Sequence, residues 1–313
     1  MRLISNEEIT SIKEEWDLIG NQIIKCNEAL SNADYSQPVK PYLDFDDKKN
    51  RIIAMPARLG GCVNVAGIKW IASFPDNKKD NLPRVSSTTI INDIKTGQTK
   101  AIINSEHLSS IRTVAVTYLM IKEYMNNNDK KLFNIGIIGF GPIGQLHHKM
   151  ISSMFKDSIT SINVYDKNYR ALDNLPLSEK NSNMKALIKK SDILITCTDV
   201  IEPYIDILPK EGSLVCNISL RDFCLFDENI SPIIIVDSWE EVNRRGTNIE
   251  NMVVSKRINE LDAISFADAI ISFPRLNEHD FYFFNPMGMA VYDITVADLY
   301  LESYFRGKDN EEW

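Results

Sequence analysis

FNIGIIGFGPIG, residues 133–144, carries an apolar strand from Ile135 to Ile138 straight into a glycine-spaced turn, Gly139-Phe140-Gly141-Pro142-Ile143-Gly144. A helical stretch follows, through His147 to Phe155. G-x-G-x-x-G between a strand and a helix is the arrangement that receives a dinucleotide pyrophosphate. The first glycine permits the tight turn, the second lets the backbone approach the phosphates, and the third allows helix and strand to pack closely. Helix N-terminal amides then face the phosphate charge. Pro142 and Ile143, between the glycines, belong to the same cofactor-binding set. The motif gains weight from a second strand, SINVYD, ending at Asp166. A carboxylate there accepts ribose hydroxyls and repels a 2′-phosphate, which favours NAD over NADP. The competing reading is a structural glycine turn with a solvated aspartate.

Downstream the pattern alternates: a helical stretch near Met184, then DILITCT (192–198), SLVCNIS (213–219) and PIIIVDS (232–238). Alternating strands and helices predict an α/β fold, here a Rossmann-type doubly wound parallel sheet with helices on both faces. Ligands sit at the carboxyl ends of such strands, which directs Thr196, Cys197 and Thr198 toward the cofactor. Cys197 reads as a buried filler, because no histidine lies nearby in sequence.

Upstream, residues 51–104 hold short β-rich runs (RIIAMP, GIKWIAS, STTIIND, TKAIIN), the pattern of a small, mostly antiparallel sheet. A helix is expected from about Glu106 to Met125, ended by MNNNDKK. The opening segment predicts a helix, with a Ser5/Glu8 capping box and Ile9, Ile12, Trp16, Ile19 and Ile23 at helical spacing. These readings divide the chain into a smaller α+β domain, 1–127, and a dinucleotide domain, 128–286. A closing helix from about Gly288 to Tyr304 is expected to return to the first domain, so that 287–313 completes it.

The 313 residues, 44% hydrophobic and 25% charged, describe an ordinary globular chain. A net charge of −8 repels phosphate backbones, so no nucleic-acid partner is expected. No stretch approaches the length of a membrane span, and the start lacks an apolar leader. Five scattered cysteines without a C-x-x-C pair fit free thiols in the cytoplasm. The four histidines form no metal pattern, and adjacent His147 and His148 face different sides of a helix. No metal is expected.

Taken together, Gln37-Pro38-Val39-Lys40-Pro41, Met55-Pro56, Gly67-Ile68-Lys69-Trp70, Ser110-Ile111-Arg112-Thr113 and the glycine motif resemble the ornithine cyclodeaminase and mu-crystallin family, through nearly the whole chain. QPVKPYL, RIIAMP, GIKWI, ITCT and Asn285-Pro286-Met287-Gly288-Met289-Ala290 look nearest to those members that make 2,3-diaminopropionate for a siderophore. Those members oxidise N-(2-amino-2-carboxyethyl)-L-glutamate and release 2,3-diaminopropionate and 2-oxoglutarate.

The resemblance implies a substrate and dimerisation domain beside an NAD-binding domain, a small amino-acid substrate, and a homodimer. It implies Lys40, Lys69 and Arg112 as substrate-binding cations, and Lys69 and Asp222 as catalytic residues; the competing readings are an outward-facing Lys69, an Arg112 paired with Glu106 or another acid, and an Asp222 that caps the next turn. Arg112, Thr113 and Ser219 join the cofactor set, as do Met287 and Gly288, which read either as backbone closely approaching the nicotinamide or as an ordinary loop-to-helix turn. Asp293 either contacts the cofactor side or merely caps and solvates the closing helix. Three departures stand out. Lys40 replaces an arginine and loses the planar fork. Ile53 replaces a glutamate of true cyclodeaminases, and Asp222 lacks the glycine, proline and lysine expected around it. The resulting expectation is an NAD-dependent oxidoreductase acting on a C–N bond. A cyclodeaminase or another amino-acid or imine dehydrogenase is the second reading, and a non-enzymatic ligand binder is the third.

Overall fold

The computed structural model describes residues 1–47, 49–277 and 279–309. The chain divides into two compact units, Met1–Ala115 together with the chain from Met289 onward, and Val116–Gly288. Residues 310–313, assigned from sequence to the first domain, lie outside the described residues.

Unit 1 begins with β1 (Arg2–Ile4), α1 (Asn6–Thr10) and α2 (Trp16–Ser31), followed by β2 (Tyr35–Ser36), β3 (Tyr42–Asp44), β4 (Arg51–Leu59), β5 (Val65–Ser73), β6 (Val85–Asn92), β7 (Thr99–Asn104) and the start of α3 (Glu106–Asn126). The single N-terminal helix expected from sequence is two helices. The Ser5/Glu8 capping box is present. Thr10 and Ser11 then turn their hydroxyls onto the carbonyls of Glu7 and Glu8, at 3.0 and 2.7 Å. Such back-bonding competes with helix propagation.

The unit 1 sheet runs β1-β7-β6-β5-β4-β2, with β3 also on β4. Only β1 pairs in parallel. Period-two alternation separates its faces. Met55, Ala57, Leu59, Val65, Lys69, Ile91, Ala101 and Ile103 are buried on one face. On the other, the row Pro56, Ile68, Ile90, Ile102 and Leu3 crosses five strands, and no member of it is buried.

Unit 2 contains β8 (Phe133–Ile138), α4 (Pro142–Met154), β9 (Ile159–Tyr165), α5 (Met184–Lys190), β10 (Ile193–Thr196), β11 (Leu214–Asn217), β12 (Ile233–Val236), α6 (Trp239–Val242), α7 (Asn248–Val254), β13 (Ala263–Ser265), α8 (Phe266–Ile271) and β14 (Tyr282–Asn285). Its strands are parallel, in the order β13-β12-β14-β11-β10-β8-β9. This is the doubly wound α/β sheet read from the sequence. The order reverses at β8, and a ligand crevice lies at such a switch point. β14 was not read from sequence, although its apolar run inserts between β11 and β12. Its Phe283 packs with Phe223, Phe226 and Phe281 in one aromatic cluster.

The units part inside α3, between Ala115 and Val116, rather than at 127/128. The physical reason lies in the last turns of α3. Tyr124 packs on Phe133, Phe273 and Tyr282 and donates its hydroxyl to the Gly212 carbonyl at 2.9 Å. The chain closes with α9 (Ala290–Asp309), counted with unit 1. Tyr292 on α9 donates to Asn27 of α2 at 2.6 Å, both groups buried.

Candidate active site

The glycine turn of unit 2 has the geometry its spacing demands. Gly139 sits at φ +90, and a Cβ there would meet the Cys197 carbonyl oxygen at 2.7 Å. Gly144 lies against that turn, so a Cβ would stand 2.1 Å from the Gly139 oxygen. Gly141, by contrast, has nothing within 4 Å of where its Cβ would be. It is also the residue before α4, and Pro142 begins the helix. Backbone closed on one side and open on the other, at a helix N-terminus, fits a pyrophosphate.

Asp166 follows β9 directly. Its Oδ2 accepts the Phe140 N–H at 2.7 Å, and its Oδ1 accepts the Asn168 N–H at 2.8 Å. Each oxygen keeps a further lone pair for a ribose hydroxyl.

The ends of β10 and β11 carry a hydroxyl and carboxylate chain. Thr196 donates to Asn217 at 3.1 Å and lies 3.1 Å from the Ser219 hydroxyl. Thr198 and Ser219 both donate to the Asp222 carboxylate. Asp222 is fully buried. Burial pushes its carboxyl above the ordinary range, against these hydrogen bonds, so it holds a proton at higher pH than a surface aspartate.

Cys197 does have a histidine neighbour, one that chain distance hides. Its Sγ lies 3.7 Å from His147 Nδ1. Burial drives the thiol well above its usual pKa and the imidazole down to about 4. Both groups are therefore neutral, and no thiolate nucleophile forms.

Met287 and Gly288 were assigned to the cofactor through close backbone approach. Their N–H groups donate to the two oxygens of Asp237, at 2.9 and 2.6 Å, so these amides are already occupied. Asp237 follows β12 and was missed. Its signal is a lone acid at the carboxyl end of an apolar strand. Also missed is a buried amide group in which Asn217 donates to Asn248 and Asn285, at 2.9 and 2.7 Å.

Unit 1 brings together the cations. Met55 and Thr89 flank Lys69 in register, and its side chain points into the buried face at 2% exposure. Lys69 Nζ donates to Asp293 Oδ1 at 2.8 Å and to the Ser109 hydroxyl at 3.1 Å. Arg112, one turn along α3 from Leu108, donates its Nε to the same Asp293 oxygen at 2.8 Å. Thr113 turns its hydroxyl to the Ser109 carbonyl at 2.9 Å. Lys40 is buried as well.

Burial pushes the Lys69 ammonium down to about 8 against the pull of Asp293, and the charges of Arg112 and Lys40 push the same way. For Asp293, burial alone would raise the carboxyl. The adjacent Arg112 and Lys69 overcome it and hold the group below its ordinary range. Asp293 therefore neither caps nor solvates α9. Its signal was a lone carboxylate among Val291, Tyr292, Ile294 and Val296, all buried.

Among the described residues no group of three or more His, Cys, Asp or Glu could hold a metal ion. Among them, too, no helix is long and apolar enough to cross a membrane.

Residues 7–308 match the model of the ornithine cyclodeaminase/mu-crystallin family. The chain is 33% identical over 291 residues to an N-((2S)-2-amino-2-carboxyethyl)-L-glutamate dehydrogenase of Staphylococcus aureus, covering 86% of this chain and 84% of that one. Among solved structures it is similar to a Thermococcus litoralis Delta(1)-pyrroline-2-carboxylate reductase in complex with NADH and L-proline. The TM-score is 0.84 at 21% identity, over 98% of both chains. An archaeal alanine dehydrogenase dimer with bound NAD gives the same TM-score at 22% identity, over 98% of this chain and 97% of that one. At those identities the two structures speak for the fold, whereas the family match spans almost every residue from α1 to α9. The chain belongs to the ornithine cyclodeaminase/mu-crystallin family.

Proposed function

We propose that this chain is an NAD-dependent dehydrogenase that oxidises a carbon–nitrogen bond in a carboxylate-bearing amino-acid conjugate. N-(2-amino-2-carboxyethyl)-L-glutamate is the proposed substrate, with 2,3-diaminopropionate and 2-oxoglutarate as products once water has cleaved the imine. One observation carries the reading: Lys69 and Arg112 are buried on a single carboxylate, with the charge of Lys40 close enough to shift Lys69. Two buried cations sharing one acid suit a ligand that brings a carboxylate of its own. Within that class, similarity to the staphylococcal dehydrogenase at 33% identity supports the named conjugate.

NAD, when bound, supplies the hydride acceptor. Gly139, Gly141, Pro142, Ile143 and Gly144 would hold its pyrophosphate, and Asp166 its ribose, with Thr196, Thr198 and Ser219 along the same strand ends. Lys40, Lys69 and Arg112 neutralise the substrate carboxylates and fix its orientation. Asp222, protonated more readily than a surface aspartate, exchanges a proton with the substrate nitrogen or with the attacking water. We further propose that two copies join through the unburied apolar row of the unit 1 sheet.

The test is incubation with NAD and the conjugate. NADH should appear with 2-oxoglutarate in equal amount. Likeness to the archaeal alanine dehydrogenase favours a second reading, a dehydrogenase of a simple amino acid. NADH from alanine, with none from the conjugate, would select it. Ammonia and proline from ornithine without net NADH would mark a cyclodeaminase.

A further inference from the structure

Asp293 has a peculiar hydrogen-bond arrangement. Its Oδ1 accepts from Lys69 Nζ and from Arg112 Nε, each at 2.8 Å. Its Oδ2 is buried and accepts no hydrogen bond. A carboxylate has room for about four donors, and a buried oxygen without one costs free energy. Such a cost is tolerated where a particular geometry is needed. The geometry here is a bridge. One oxygen joins a cation from β5 to a cation from α3, and the acid itself comes from α9, far away in sequence.

We propose that Asp293 is a positioning residue that clamps Lys69 and Arg112 into one rigid pair, so that both meet the substrate carboxylate without rearranging. The proposal rests on the reading of Lys69 and Arg112 as the substrate-binding cations. Two mobile cations in a buried site would repel each other. Water screens such repulsion poorly in the interior, and a shared counter-charge offsets it. The same counter-charge opposes burial at Lys69 and keeps its ammonium populated near neutral pH. The clamp therefore acts on the charge of Lys69. The glycine turn and Asp166 belong to the other unit.

Asp293→Asn keeps the shape and removes the charge. Losing that charge lets the Lys69 pKa fall, so the alkaline limb of kcat/KM should move toward acid by about one pH unit or more, with kcat/KM down at least about tenfold. NAD affinity, followed by protein fluorescence, should stay within about twofold, since the turn is untouched. Asp293→Glu, which restores the charge, should bring the limb back while kcat stays low. Lysine-selective NMR reads the same shift without substrate. The Lys69 ammonium of Asp293→Asn should titrate below that of the parent chain. In the parent, its protons should show nuclear Overhauser contact with the Arg112 Nε proton. If the limb and the Lys69 titration both stay put in Asp293→Asn, or if the Overhauser contact is absent from the parent, the clamp is wrong. Should the titration shift while no amine substrate reduces NAD, the clamp stands and the dehydrogenase reading falls.

Discussion

Asp166 Oδ2 accepts the backbone N–H of Phe140 at 2.7 Å, which ties the acid after β9 to the interior of the glycine turn. Asp166→Ala removes an acceptor from that amide and a negative charge beside the proposed ribose position. Hydrogen bonds to charged groups contribute about 1.5–3 kcal/mol, so NAD affinity should fall roughly 10- to 100-fold. NADP affinity should fall less or rise, because a 2′-phosphate no longer meets the carboxylate. Calorimetric titration with both nucleotides checks this, and equal losses would remove Asp166 from the ribose site.

Gly144→Ala would place a methyl group 2.1 Å from the Gly139 carbonyl oxygen and 3.1 Å from its carbon, both backbone atoms. The turn must open. Overpacking of this kind costs about 1–3 kcal/mol, and NAD binding should be lost along with it. Thermal unfolding with and without NAD measures both effects, and an unchanged NAD-induced stabilisation would contradict the assignment.

Lys69→Ala deletes one of the two donors to Asp293 Oδ1. Turnover should drop by roughly a thousandfold, while NAD binding in unit 2 stays intact. Breaking a buried ion pair typically costs about 3–5 kcal/mol, and Arg112, still on the same oxygen, should hold the loss to the lower end. Retained activity would exclude Lys69 from the site.

Activity should also depend on pH through Lys69. Its ammonium, with a pKa of about 8 instead of the usual 10.5, is the form that binds a carboxylate. As pH rises through 8 that form disappears, so kcat/KM should decline above pH 8 and not only near 10.5. Lys69→Arg keeps the charge at all these values, and any activity it retains should show no such decline. An alkaline limb near 10 in the parent chain would sink the assignment.

The unburied row Pro56, Ile68, Ile90, Ile102 and Leu3 runs beside Trp70, which is 43% exposed between Ala54 and Thr88. This continuous apolar sheet face is the one through which two copies are proposed to join. Trp70→Glu should convert a dimer to a monomer in light scattering. A dimer unaffected by that charge would place the contact elsewhere.

The dinucleotide turn was legible because its demands are local: three glycines, a strand before and a helix after, all within a dozen residues. The parallel sheet followed from alternation along the chain. Asp293 could not be read that way, since its partners come from residues 69 and 112 and its own surroundings are uniformly apolar. Cys197 shows the same limit, as His147 is distant in sequence but 3.7 Å away in space. At Met287 and Gly288 the local signal was right about an unusual backbone, with Gly288 at φ +85. It was silent about Asp237, which takes up the amides. Two helices stand where one was expected because apolar spacing at Ile9, Ile12 and Trp16 ignores the hydroxyls of Thr10 and Ser11.

That Asp293 rides on the closing helix has a bearing on how the molecule is made. A ribosome delivers Lys69 and Arg112 long before it reaches their common carboxylate. Until α9 is made, Lys69 of β5 and Arg112 of α3 lack the carboxylate they share. Assembly of the proposed amino-acid site therefore waits on α9, whereas the glycine turn has its strand and helix within residues 133–154.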